Sequence, residues 1–391
     1  SRRVCVMTSG EDIDPRRFVV KVGSSSILYL AGPGLFAENW GWNGIIWYIL
    51  ILCIARWLAD ETVSRTVYRY PAAGPIIFRF SGIALFLVTI PTLIIPESEI
   101  GLITIPVLVS LFVAGFWGLY FEIAEHAGQT TEGHQRTEVW ASVISAVLVL
   151  GIIQYYPLEY AAGFGALLSL ATCLYPVGVS VEQFGARQEI LREQAASRTK
   201  DEIDNGALIV RAVATISFCS LSSLRLHIFL DPASIESAVE YLAIILAITE
   251  LIAYFVTVKV SYDSPRYGDI ALIATILGFF AMMPLGGPWY VFYLGYTVVT
   301  TFSRTFYRTT DREFSRPALK GVGNQIGLRE VYRYRRMALL TPLLFIPSSM
   351  PIVGIWGAVN LSRAKLRRPQ DSSDSPGGTD FIRISSRGET L

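Results

Sequence analysis

Charged side chains set inside apolar runs are the residues of this chain best placed to do chemistry. Glu250 lies near the middle of the run 237–258. A carboxylate at that depth is costly in lipid and characteristically lines a cavity or an ion path, which suits it to hold a proton, a cation or the cationic group of a substrate. Arg225 stands six residues before a turn at Asp231, and Glu240 follows that turn by a similar distance. Two antiparallel helices joined there would set them at one depth, as a structural ion pair Arg225–Glu240, with His227 close enough to join. Arg79 and Arg211 lie about one to two helical turns from the ends of their runs. Each can snorkel to the interface or hold an anionic group through charge-assisted hydrogen bonds. The expected substrate-binding set is Arg79, Arg211, Arg225 and Glu250.

Other chemistry is poorly represented. The chain has no P-loop, no GxSxG and no HExxH. The cluster Glu122-Ile123-Ala124-Glu125-His126 has a spacing that can hold a metal, but it sits where a helix leaves the membrane and reads as solvated side chains. Cys5, Cys53, Cys173 and Cys219 are scattered, without the pairing expected of a zinc or disulfide framework. The reading is therefore of a protein that is not an enzyme and has no cofactor, metal or nucleic-acid partner.

The elements that position these charges are membrane helices. Of 391 residues, 52% are hydrophobic and 17% charged, against about 25% charged in soluble domains. A bilayer core about 30 Å thick needs ~20 apolar residues in a helix. The runs 72–95, 101–123 and 139–156 approach or exceed that length, and others follow at about 19–36, 43–58, 160–181, 207–230, 237–258, 269–284, 288–306 and 337–361. Arg56, Asp60, Glu61, Arg65 and Arg69 are expected in a charged loop after the second run. The fold class is all-α: a polytopic membrane bundle of about 12 transmembrane helices in two halves. The expected division is a six-helix bundle over 1–181, a cytoplasmic linker over 182–206, a five- or six-helix bundle over 207–361 and a disordered cytoplasmic tail over 362–391. The run 337–361 is too short to cross twice and carries Pro342, Pro347 and Pro351, so either a helix starts in the preceding basic loop or the count is 11. Basic residues gather near 60, 130, 195, 263 and 320 and are missing near 40, 97, 158, 233 and 286. That alternation places the N-terminus and the long loops in the cytoplasm, with the bilayer itself as the main partner in the cell membrane.

Two family resemblances follow from particular residues. The turn Phe36-Ala37-Glu38-Asn39-Trp40-Gly41, the second helix, and then Ala59-Asp60-Glu61-Thr62-Val63-Ser64-Arg65-Thr66-Val67-Tyr68-Arg69 together resemble the start of the polysaccharide branch of the multidrug/oligosaccharidyl-lipid/polysaccharide flippase superfamily. Thr62 stands where that family usually has Gly, and the chain is short for its 14 spans. This resemblance implies export of a lipid-linked oligosaccharide or polysaccharide by alternating access, with a proton or cation as possible coupling ion. The two-halved plan also resembles the major facilitator superfamily, a family of small-solute transporters. Asp60 and Arg65 are present in the stretch that corresponds to its Gly-x-x-x-Asp-Arg-x-Gly-Arg loop, while Arg56 and Val63 occupy its glycine positions. A membrane-embedded transferase acting on a lipid-linked substrate is the third reading. Its acidic candidates, Asp60-Glu61 and the pair Asp263 and Asp269, do not match an Asp-x-x-x-Asp motif.

Overall fold

The first apolar run folds as a helix with a widened turn in its middle. In the computed structural model, which describes residues 15–94, 99–124, 131–174, 209–210, 212–213, 235–259, 265–283, 289–314, 335–346 and 349–367, α1 (Pro15–Ser25) passes into a π-helical turn at Ser26–Ala31 and then into α2 (Gly32–Trp40). Gly41 follows with φ of +68°, a conformation that needs the absence of a Cβ. It turns the chain directly into α3 (Trp42–Arg69). Then come α4 (Ala73–Ile94), α5 (Glu99–Ala124), α6 (Thr131–Ile153), and α7 (Leu158–Ser169), which tightens into a 3-10 turn at Leu170–Leu174. Later in the chain are α8 (Ile235–Lys259), α9 (Pro265–Ala281) and α10 (Trp289–Phe314). Helical residues 335–340, here α11, end in a 3-10 turn at Thr341–Phe345, and α12 covers Ser349–Arg367. Every regular element among the described residues is helical.

The helices are apolar outside as well as inside. Leu58, Leu87, Leu277 and Leu294 are each more than half exposed, while Phe78, Phe112, Phe116 and Phe279 are buried. A water-facing helix would carry polar residues on its outer stripe, so this pattern belongs to a bundle solvated by lipid. By length and composition, four helical stretches can cross a bilayer outright: Pro15–Trp40, Asn43–Val67, Glu99–Phe116 and Val239–Val256. The rest are shorter apolar helices or fall partly outside the described residues.

Several boundaries differ from those expected. The charged stretch after the second run is helix, because α3 continues to Arg69. Its charges satisfy one another along the helix: Arg56 Nε donates to Asp60 Oδ2 at 2.7 Å, and Arg65 pairs with Glu61 at 2.7 Å. Likewise α10 runs on to Phe314, into the basic loop, and α12 reaches Arg367, into the expected tail. The run 337–361 contains two helices. The turn between them is held by the Ser349 hydroxyl, which bridges the carbonyls of Leu343 (2.6 Å) and Ile346 (2.7 Å). The linker 182–206 lies outside the described residues, as does nearly all of the seventh run.

Small residues let helices touch through their backbones. A Cβ on Gly165 of α7 would lie 2.8 Å from the Gly23 carbonyl of α1. At the crossing of α9 and α10, a Cβ on Gly295 would lie 2.6 Å from the Gly278 carbonyl. Both separations are shorter than real Cβ contacts. Of the small residues Ala161, Gly163, Gly165 and Ala166, which the sequence suits to close helix packing, all but Gly163 are buried. Larger side chains mediate other junctions. Helix α8 packs along α6 and against α2, where Val239 and Leu158 close over Gly34. The α11 turn meets α3, with the Arg335 guanidinium over the Trp57 ring at 5.9 Å.

Candidate functional site

The polar interior is sparse, so each buried charge is informative. Glu250 is 7% exposed on the inward face of α8, which also buries Val239, Leu242, Ala243, Leu246, Thr249 and Ala253. This face repeats every three to four residues, as a helix with one packed side must. Helix α6 lies along it, and α6 buries Thr137, Ser142 and Ser145. Helix α10 lies beside it and brings Tyr293, Tyr296, Thr300, Thr301 and Ser303 into the interior. A direct polar contact joins α8 to α10. The oxygens of Thr249 and Thr297 are 3.3 Å apart, and the Thr297 hydroxyl donates to the Tyr293 carbonyl at 2.9 Å. Glu250 is thus buried on α8, whose neighbours α6 and α10 carry buried hydroxyls that the sequence reading did not include.

The arginines are distributed otherwise. Arg79 is exposed on α4. What its position contributes to packing is its backbone carbonyl, which accepts from the Thr172 hydroxyl at 3.1 Å and the Cys173 thiol at 3.4 Å. Arg211 and Arg225 lie outside the described residues, and so does the Arg225–Glu240 pairing; Glu240 itself is half-buried on α8. His126 also lies outside them. Among the described residues, no group of three or more His, Cys, Asp or Glu side chains is arranged to hold a metal.

The sequence reading missed two places where charge is buried. Arg17, assigned to a polar N-terminal stretch, is the third residue of α1 and is 1% exposed. Its signal was the helical spacing of Arg17, Val20, Ser24 and Ile27, all buried. The other is the Arg56–Asp60 pair, whose side chains are both 3% exposed. Tyr48 was also unforeseen. The π-helical turn hands the Ile27 carbonyl to the Gly32 N–H, the i to i+5 bond of a π turn. The Tyr48 hydroxyl donates to the Leu28 carbonyl at 3.1 Å, with the Ile27 carbonyl at 3.5 Å. Such turns are frequent where a membrane or active-site helix has a functional irregularity.

No family model matches the chain, and no curated protein matches it. Solved structures do. The crystal structure of the nucleoside transporter NupG is similar with a TM-score of 0.59 and 13% identity, covering 90% of this chain and 96% of that one. A D-xylose-proton symporter gives 0.56 and 12%, over 88% and 96% of the two chains. An auto-inhibited POT family peptide transporter gives 0.53 and 11%, over 93% and 99%. No family model supports the flippase resemblance. At such identities the likeness speaks for the fold, and the conclusion it carries is that this chain is a helical membrane bundle with the fold of solved solute transporters.

Proposed function

We propose that the chain is a multi-pass transporter of a small solute, of the major-facilitator kind, working by alternating access. In this reading two bundles, roughly 1–181 and 207–361, rock about a central polar cavity and are joined by the segment 182–206. The observation that carries the reading is a carboxylate, Glu250, held 7% exposed in the interior of α8 in a chain with a transporter fold. A charge in that setting is retained for a path or a site rather than for stability. Glu250 then binds the coupling proton or cation, or a cationic group of the solute. Arg79, Arg211 and Arg225 remain candidates for an anionic group. The alternation of basic and non-basic loops supports a cytoplasmic N-terminus and the cell membrane as location.

The test is uptake into proteoliposomes across a panel of nucleosides, sugars and short peptides, with a fluorescent lipid-linked sugar run in parallel for the flippase reading. Uptake of one solute class by the wild type, lost in Glu250→Gln with an unchanged melting profile, is the expected result. Flipping of the lipid-linked sugar without solute uptake would return the flippase reading to first place. Full uptake by Glu250→Gln would remove Glu250 from the mechanism.

A further inference from the structure

The wide turn in the first apolar run has donors and acceptors that can be counted. Gly32 gives its N–H to the Ile27 carbonyl, five residues back. In ordinary helix that N–H would serve Leu28, four residues back. The donor five residues beyond Leu28 would be position 33, but Pro33 has no N–H. The turn thus leaves the Leu28 carbonyl without a helical donor. A carbonyl inside a membrane bundle needs one, and it comes from α3. The Tyr48 hydroxyl lies 3.1 Å from the Leu28 carbonyl and 3.5 Å from the neighbouring Ile27 carbonyl. Its approach depends on Gly32, where a Cβ would lie 2.5 Å from the phenol oxygen and 2.7 Å from the Ile27 carbonyl.

Two donors therefore share two neighbouring carbonyls, and they can trade them. As described, the Gly32 N–H serves Ile27 and the Tyr48 hydroxyl serves Leu28. In the exchanged arrangement the Gly32 N–H returns to Leu28, the ordinary i to i+4 bond, and the Tyr48 hydroxyl takes Ile27. Each carbonyl keeps one donor, so the exchange costs no hydrogen bond. It moves the wide turn back by one residue. The direction of a bend at that turn then swings by about 100° around the helix axis. Both flanks are held. Gly23 of α1 lies against the backbone of Gly165 on α7, and Gly44 of α3 meets the Phe36 carbonyl of α2. The turn lies between the α1–α7 pair and the α2–α3 pair. Beyond it, α2 carries Gly34, over which Val239 of α8 and Leu158 of α7 close.

We infer that Ser26–Ala31 is a two-register hinge switched by the Tyr48 phenol. Tyr48 is a positioning residue, acting through the backbone of the turn. As the hinge changes register, α2 turns against α8, and the contact at Gly34 tightens or parts. A turn built for one fixed register needs no second acceptor beside the phenol. Here the second acceptor is the carbonyl that Gly32 would release. The two arrangements have equal hydrogen-bond counts, which is what a bistable element requires. The inference deepens the transport reading, because α2 and α8 belong to the two bundles proposed to rock. Only this use of the hinge rests on that reading; the exchange of registers does not.

The experiment uses the purified full chain in detergent. Spin labels go at Asn39→Cys on α2 and Leu167→Cys on α7, both exposed, with the four native cysteines replaced by serine. With Tyr48 present the hinge should give two label distances. Tyr48→Phe removes one donor from either register and should speed hydrogen exchange over residues 26–32 about fivefold, the loss of one hydrogen bond. Adding Pro33→Ala supplies the missing N–H to Leu28. The double variant should regain the original protection and show one distance, because in the exchanged register Ile27 then has no donor. Should Tyr48→Phe alone fail to fold, folding of the double variant is itself the rescue. A single distance with Tyr48 present, unchanged in the variants, would overturn the hinge. So would failure of Pro33→Ala to restore what Tyr48→Phe loses. Two distances without uptake of any solute would leave the hinge standing and reject the transport reading. Solute uptake with one distance throughout would reject the hinge and leave transport standing.

Discussion

Replacing Asp60 with Asn offers the sharpest test of how this chain tolerates charge. Arg56 and Asp60 sit one turn apart on α3, 2.7 Å between Nε and Oδ2, with both side chains 3% exposed. Five residues further on, Arg65 and Glu61 make a contact of the same length and spacing, but their side chains are 77% and 42% exposed. The spacing and contact length are matched, although the acid and the order of the charges differ, and the surroundings are opposite. An exposed pair of this kind contributes about 0.3–0.5 kcal/mol, since water already solvates both charges. Removing one partner of a buried pair leaves an uncompensated charge in low dielectric and costs about 3–5 kcal/mol. Asp60→Asn should therefore destabilise the chain on the order of tenfold more, in free energy, than Glu61→Gln. Removing both charges, as Arg56→Met with Asp60→Leu, should recover most of the loss, because a buried pair can be replaced by apolar residues at little net cost. Denaturant unfolding in detergent, followed by tryptophan fluorescence, measures all of these. If Asp60→Asn proves as mild as Glu61→Gln, the Arg56–Asp60 pair is not sealed from water as the packing of α3 implies.

Other outcomes follow from the same reasoning. Gly165→Val should lower stability by about 1–3 kcal/mol through overpacking against the Gly23 backbone, seen as an earlier unfolding midpoint. Gly41→Ala should cost about 1–3 kcal/mol, since a φ of +68° combined with extended ψ is a region other residues avoid; the same midpoint reports it. Tyr48→Phe removes the donor to the Leu28 carbonyl and should cost about 1 kcal/mol, with faster hydrogen exchange confined to residues 26–32. Phe279→Ala opens space beneath Gly354, whose α-carbon the Phe279 ring covers, and should cost about 3–5 kcal/mol.

Hydropathy was enough to find the helices, because lipid forces every spanning segment to be apolar for a fixed length. It misplaced their ends wherever charge was neutralised along the helix. Arg56 and Asp60 look like a loop in a hydropathy window, yet their pairing lets α3 run on to Arg69. Arg17 looked like part of a tail for the same reason. The burial of Glu250 was legible, since a carboxylate near the middle of a long apolar run has no camouflage. The contact of Thr249 with Thr297 was not: threonine is at home in membrane helices, and only the register of α8 against α10 shows which hydroxyls meet. The π turn was equally hidden, because nothing in the run 26–31 distinguishes it from ordinary helix until Tyr48 arrives from α3. The glycines could be assigned to packing but not to partners, for pairs such as Gly23 with Gly165 join residues far apart in sequence.

Those glycine contacts have a mechanical consequence. Where two backbones touch without side chains between them, as at Gly23 with Gly165 and Gly278 with Gly295, the joint has no rotamers to change and so no cheap way to slide. Contacts such as α8 on α6, or Arg335 on Trp57, are built from side chains that can repack. Compliance in this molecule is therefore unevenly distributed. The welded joints make certain helix pairs move as single struts, and any large displacement must be taken up at the seams lined with side chains.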